Sequence, residues 1–326
     1  MTTTRAATMD VPAVRPRRTI EGISAVLLPF GLDDGPDWAS FRQLLARTWQ
    51  AGLTPAVNMD TGYVNLLTSG ERTQVLRETA EVAAGRRFVA GAFIEGEAGE
   101  PAALYTRAID EIRRHGGTPI LFQSSALARV SETQVIDVLR EVGRAGGPIL
   151  AFELGTMFAP FGRIYSTEFI VRLFEIEAFT GAKHSSLDRV CEWERIALRD
   201  RYRPDFKVYT GNDLAIDMVF YGSDYLLGLS AFAVEAFAAR DRAWAAGNAR
   251  AISLNDILQY LGQLAFRAPV PAYKHSAAQF LHLRGLIATN RQHPRSPSRP
   301  ASDIPLLADI AERVDAAVAS TAETAE

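Results

Sequence analysis

Short apolar runs that alternate with longer amphipathic ones constrain this chain more than any other feature. The apolar runs are Ile23–Leu28, Pro55–Asn58, Phe88–Ile94, Pro119–Phe122, Ile149–Phe152, Ala178–Lys183, Phe206–Thr210 and Tyr225–Gly228. Between them lie patterns of helical period at Trp38–Ala51, Ser69–Ala84, Ala102–His115, Glu132–Ala145, Thr167–Ile176, Asp188–Arg199, Leu214–Tyr221 and Ala231–Ala245. The runs are too apolar for strands with one wet face, so they predict a parallel sheet covered by helices. Glycines stand where those helices should stop, at Gly52, Gly85, Gly116, Gly146, Gly222 and Gly247, as C-terminal caps do.

Eight such units in about 230 residues match a (β/α)8 barrel in size and order. An open doubly wound sheet would offer a glycine-rich phosphate turn after its first strand. Here that strand runs into Leu28-Pro29-Phe30-Gly31, which is no such turn. Beyond Gly247 the pattern is purely helical, at Leu254–Phe266, Lys274–Ala288 and Leu306–Val318, with a Pro/Ser/Arg-rich loop over Asn290–Asp303. The fold class is thus α/β, a (β/α)8 barrel with a C-terminal helical extension. Its parts are a flexible arm over 1–19, the barrel over 20–247, the extension over 248–320 and a disordered tail over 321–326.

The 326 residues carry a net charge of −3, and the basic cluster Arg15-Pro16-Arg17-Arg18 is too short to argue for nucleic acid. One cysteine, Cys191, excludes an internal disulfide and a thiolate metal cage, and suits a reducing compartment. No stretch approaches the roughly 18 apolar residues that span a bilayer, and the first twenty residues lack an apolar signal core. A cytoplasmic protein without membrane or nucleic-acid partners is expected.

Chemistry in such a barrel gathers where strands end. Lys183 closes the sixth run, where burial disfavours its ammonium form and favours a free amine able to attack a carbonyl. Period-two alternation puts Lys183 on one strand face and His184 on the other, which makes His184 structural. Asp60-Thr61-Gly62-Tyr63, Glu153 and Gly211-Asn212-Asp213 stand at other strand ends. The histidines are scattered; His275 and His282 share a helix but lie too far apart in sequence to chelate zinc, and no metal or cofactor is expected. No G-x-S-x-G elbow supports serine chemistry.

The order of these features resembles the dihydrodipicolinate synthase / N-acetylneuraminate lyase family of Schiff-base barrels, from about Gly22 to Arg295. Gly22-Ile23-Ser24-Ala25-Val26-Leu27-Leu28-Pro29-Phe30 is similar to the family's opening strand, and Leu67-Thr68-Ser69-Gly70-Glu71-Arg72 to its Leu-Ser-x-x-Glu-Arg helix start. Thr180-Gly181-Ala182-Lys183-His184-Ser185-Ser186 resembles Gly-Ile-Lys-Asp-Ser with its Schiff-base lysine, and Thr210-Gly211-Asn212-Asp213 the Ser-Gly-Asp-Asp turn. Two departures stand out. The family's Gly-Thr-Thr-Gly-Glu, which holds a 2-oxo acid carboxylate, aligns with Met59-Asp60-Thr61-Gly62-Tyr63. Its Tyr-Asn-x-Pro, whose phenol relays protons, aligns with Phe152-Glu153-Leu154-Gly155.

The resemblance therefore implies a divergent lyase of aldolase or dehydratase type, acting on a small carbonyl compound such as a 2-oxo acid. Lys183 would be the nucleophile. Asp60 or Glu153 would carry the proton if burial raised its pKa toward neutrality, and Asp60 would repel a carboxylate unless paired with a cation. Thr61 with the Gly62 amide would anchor substrate, and Tyr63, Phe152, Ser185, Gly211, Asn212 and Asp213 would complete the pocket. A homo-oligomer, dimer or tetramer, is implied by resemblance. Loss of that tyrosine, and of the one in the family's Pro-Tyr-Tyr after strand four, which falls near Ser125-Ala126-Leu127, leaves a second reading, a catalytically silent barrel that binds a small molecule or protein. A third, scaffolding for unrelated chemistry, would be favoured by a Lys183 ammonium buried against a carboxylate.

Overall fold

The computed structural model describes residues 11–322. Its eight strands are β1 (Gly22–Ala25), β2 (Thr54–Val57), β3 (Val89–Ala92), β4 (Thr118–Leu121), β5 (Ile149–Leu154), β6 (Phe179–Ser185), β7 (Lys207–Thr210) and β8 (Asp224–Leu227). Each pairs in parallel with the next, and β8 closes onto β1 with Ile23 opposite Leu226. Closure leaves no edge strand exposed. A (β/α)8 barrel and helices that follow it in sequence are both present.

Helices α1 (Trp38–Gln50), α2 (Ser69–Ala83), α3 (Pro101–Arg114), α4 (Ser125–Ala128), α5 (Glu132–Gly143), α6 (Thr167–Phe174), α7 (Arg189–Tyr202) and α8 (Val234–Ala246) wrap the barrel. Local sequence fixes their ends. Thr68 and Glu71 form a reciprocal capping box at the start of α2, and Ser131 and Gln134 form another before α5. Each cap is worth about 1 kcal/mol. All six glycines read as helix stops have positive φ, between 71° and 121°, a conformation that costs glycine little.

Two differences from the sequence pattern matter. The helix expected over Leu214–Tyr221 is a 3-10 segment, Ile216–Tyr221. Its start is held by a side chain of the extension, Gln259, whose Oε1 accepts from the Ile216 amide at 3.1 Å. Residues 11–19 of the expected arm are described, and Arg15, Arg17 and Arg18 are fastened to the barrel. Arg18 pairs with Asp224 at 2.7 Å, Arg17 donates to Ala246 O at 3.1 Å, and Trp244 donates to Arg15 O at 3.0 Å. The rest of that arm, and the tail beyond Ala322, lie outside the described residues.

The extension comprises α9 (Arg250–Ala265), α10 (Tyr273–Leu283) and α11 (Asp303–Ala322). Helix α10 begins one residue before its expected start and ends at Leu283, short of the expected Ala288, and it carries Tyr273 and Lys274 in its first turn. Both are buried, with Lys274 only 2% exposed. Among the described residues no helix is long and apolar enough to cross a membrane.

The core has two layers. Ile23, Ala56, Val89, Ile120, Leu150 and Leu226 fill the barrel interior, and a larger shell packs between strands and helices. Register assigns the faces at the site: Phe152 lies opposite Lys183, and Lys183 opposite Tyr209. One step along, Glu153 lies opposite His184, and His184 opposite Thr210. The first trio faces inward and the second outward, as a two-residue period demands.

Candidate active site

Lys183 lies near the end of β6, 9% exposed, on the wall of a cavity of about 250 Å³ at the C-terminal mouth of the barrel. Its ammonium makes no hydrogen bond and has no carboxylate within 4.0 Å among the described residues; its close neighbour is the Phe152 ring, 4.6 Å from Nζ to the ring centroid. Burial lowers the amine's pKa, and the anions Asp213 and Asp60 offset this only in part. Gly211 makes the space for this side chain, since a Cβ there would stand 2.5 Å from Lys183 Cε.

Asp213 also lines the cavity. Its carboxylate accepts from the Leu229 amide at 2.7 Å. Burial pushes its pKa up to about 6, against the pull of Lys183 and of the Leu229 and Gly228 amides. Asp60 behaves in the opposite way. Lys274 donates to both of its oxygens, at 3.0 and 3.2 Å, and Tyr273 donates to Oδ2 at 2.9 Å. Burial raises the Asp60 pKa, but Lys274 and Tyr273 outweigh it, and the net shift is downward. The Thr61 hydroxyl lies 2.9 Å from the same phenol oxygen. Burial and the Asp60 anion hold the Tyr273 phenol protonated, well above its ordinary range.

Of the residues singled out in the sequence, Lys183, Asp60, Thr61, Phe152, Ser185, Gly211 and Asp213 line one cavity. Four do not. Glu153 faces the helices, where it accepts from His184 at 2.8 Å, from Arg195 at 2.9 and 3.0 Å, and from the Tyr165 amide at 3.0 Å. Burial raises its pKa, but His184 and Arg195 prevail and hold it at about 2. His184 rises to about 10 because Glu153 outweighs its burial. Glu153 is therefore a structural anion, not a proton carrier, and the expectation that burial would bring it or Asp60 toward neutrality is corrected for both.

The Gly62 amide is spent on Met59 O at 3.0 Å. Tyr63 is fully buried behind the site, with Phe30 at 5.5 Å and His293 at 5.7 Å from its ring. Asn212 bonds Glu192 at 2.6 Å and the Leu187 amide at 2.8 Å, tying the β6 exit to β7.

Sequence reasoning missed Tyr273 and Lys274. A trace was present: Lys274 is an isolated charge beside the small run Ser276-Ala277-Ala278, and such a lysine needs a buried partner. It also missed the roof, in which Phe158 and Phe161 of the β5–α6 loop cover the cavity. That loop is anchored by paired bonds between Gln123 and the Arg163 backbone, at 2.6 and 2.7 Å. Among the described residues no cluster of His, Cys, Asp and Glu is arranged to hold a metal.

Residues 31–319 match the family described as "Protein of unknown function (DUF993)". The chain belongs to that family. No curated protein matches it in sequence. Its fold is that of the dihydrodipicolinate synthase family. A putative dihydrodipicolinate synthetase from Pseudomonas aeruginosa is similar, with TM-score 0.75, 20% identity, and 91% of this chain and 100% of that one covered. YagE from E. coli, a prophage protein of the same family solved with pyruvate, gives TM-score 0.80 at 16% identity, covering 91% and 98%. The dihydrodipicolinate synthase of Thermotoga maritima gives TM-score 0.77 at 17% identity, covering 91% and 99%.

Proposed function

We propose that this protein is a Schiff-base-forming lyase, of aldolase or dehydratase type, that acts on a small carbonyl compound through Lys183. One observation carries this reading: a buried lysine amine on a cavity wall with no ion-pair partner. A lysine kept for structure would be paired, as Lys274 is. The neutral amine attacks the carbonyl carbon, and the carbinolamine loses water to give an imine. Protonated, that imine accepts either the electron pair of the Cα–Cβ bond in an aldol cleavage or that of a Cα–H bond whose proton is taken by a base; in the second case the enamine so formed expels a β-hydroxyl, which leaves as water once protonated.

Proton transfer in the bond-breaking step, after the imine has formed, falls to Asp213, whose pKa near 6 suits exchange around neutrality, and to the Thr61–Tyr273–Asp60 chain. Tyr273 reaches the cavity from the extension, so a phenol is present although β5 carries Phe152. That phenol counts against a catalytically silent barrel. The absence, among the described residues, of a carboxylate within ion-pair distance of Lys183 likewise counts against a purely structural lysine.

Borohydride reduction in the presence of a panel of aldehydes, ketones and oxo acids tests the proposal. A stable mass increment on the peptide containing Lys183, absent from Lys183→Met, is expected. An unmodified protein across the panel would overturn it.

A further inference from the structure

We infer that the carbonyl compound taken by this cavity is uncharged, with an apolar face, rather than a 2-oxo acid. The inference deepens the Schiff-base reading of Lys183 and rests on it for its covalent part. Three observations lead to it.

The first is the charge of the wall. The ionisable side chains lining the cavity include three carboxylates, Asp60, Glu95 and Asp213, and one cation, Lys183. That cation must give up its charge to react, because only the neutral amine is nucleophilic. At the moment of attack, no lysine or arginine among the described lining residues is left to face a substrate carboxylate. Lys274 cannot serve, because it is buried behind Asp60 and bonds both oxygens of that carboxylate. Burying an unpaired carboxylate in such a place is strongly unfavourable.

The second is the fate of the anchor expected after β2. The Gly62 amide bonds Met59 O, and the Thr61 hydroxyl is engaged with Tyr273. Asp60 stands in the same turn, with its carboxylate half open to the cavity (51% of the side chain exposed). An acidic group thus occupies the corner where an acid substrate would need a donor.

The third is the apolar part of the wall, beside which the Ser185 hydroxyl donates to Gly211 O at 3.2 Å and Asn65 is a further polar side chain. Phe93, Phe122, Phe152, Phe158, Phe161 and Phe266 contribute six rings from five different segments. Phe122 packs edge-on to Phe152 at 5.1 Å and to Phe93 at 5.6 Å, so these three form one continuous surface below the roof. Rings on several sides reward an apolar or aromatic body and offer nothing to a carboxylate.

A matched pair separates the two substrate classes. Phenylpyruvate and 1-phenylpropan-2-one share a benzyl ketone and differ in carrying a carboxylate or a methyl group. Initial rates of borohydride trapping on the full-length protein are divided by those of Nα-acetyllysine, which cancels the different reactivity of the two carbonyls. In parallel, calorimetry measures both compounds on Lys183→Met, which cannot form the imine.

The normalised rate for the neutral ketone is expected to exceed that for phenylpyruvate at least tenfold, with the same order of affinity on Lys183→Met. If phenylpyruvate is trapped equally well or better, the substrate class is overturned while the Schiff-base reading stands. If neither compound is trapped but Lys183→Met binds the neutral ketone at least tenfold more tightly, the class stands and the covalent reading fails. Absence of both trapping and preferential binding overturns the inference.

Discussion

The two faces of the β5–β6 pair bury charge in opposite ways. On the outer face, Glu153 meets His184, Arg195 and the Tyr165 amide, and every partner favours its charged form. On the inner face, Lys183 meets a phenylalanine ring and open cavity. The two sites are one residue apart along each strand. The outer arrangement spends its charges on stability and fixes their protonation. The inner one leaves an amine whose protonation is easily changed, which suits chemistry and contributes little to folding.

The largest test of this contrast is Glu153→Gln. It leaves His184 and Arg195 buried against a neutral amide, and removing one partner of a buried ion pair costs about 3–5 kcal/mol. Chemical denaturation should show that loss, whereas Lys183→Met should fall within about 1 kcal/mol of the parent or stabilise it, because no partner is stranded. The reverse ranking would break the comparison.

The outer network also has a pH window. Glu153, held at about 2 from an ordinary 4.5, contributes stability that is complete above 4.5 and lost as the pH falls through about 2. His184, raised to about 10 from 6.5, contributes stability that is complete below 6.5 and lost as the pH rises through about 10. The difference between parent and Glu153→Gln should therefore be greatest between pH 4.5 and 6.5.

Gly211→Ala acts on the inner face alone. Its Cβ would stand 2.0 Å from Ser185 Oγ and 2.5 Å from Lys183 Cε, so either both side chains turn or the β7 exit shifts. Overpacking of this kind costs about 1–3 kcal/mol. Displacement of a reacting atom by about an ångström costs on the order of a hundredfold in rate. Borohydride trapping should thus fall far more than the denaturation midpoint does. An unchanged trapping rate would show that the lysine has freedom that the packing denies.

This contrast between faces was half legible in the sequence. Alternation along β6 placed Lys183 inward and His184 outward, and the register agrees. The same rule applied to β5 forbids Phe152 and Glu153 from sharing a cavity, yet both had been placed in the site by alignment with a motif. The barrel was readable because strand and helix periods and the glycine stops are local signals. Tyr273 and Lys274 were not, because their meeting with Asp60 spans more than two hundred residues and only the packed extension brings them there. Tyr63 shows the converse: it is next in sequence to the cavity residues, but a left-handed turn, φ 60°, directs its chain away from them.

The smallest expected effect is also the most specific to the inner face. Asp213→Asn keeps an oxygen to accept from the Leu229 amide and removes an anion that holds the Lys183 ammonium in place. The lysine's pKa should fall further, so more free amine is present at neutral pH. Trapping of a neutral ketone should quicken several-fold, the scale of one partly screened charge. The sign depends on pH. Asp213 is itself protonated below about 6, where parent and variant carry the same charge. The two trapping profiles should therefore separate above that pH and converge below it. A constant offset at every pH would mean that the substitution acts through shape rather than charge, and a slower variant above pH 6 would mean that Asp213 is needed to move a proton before the imine is complete.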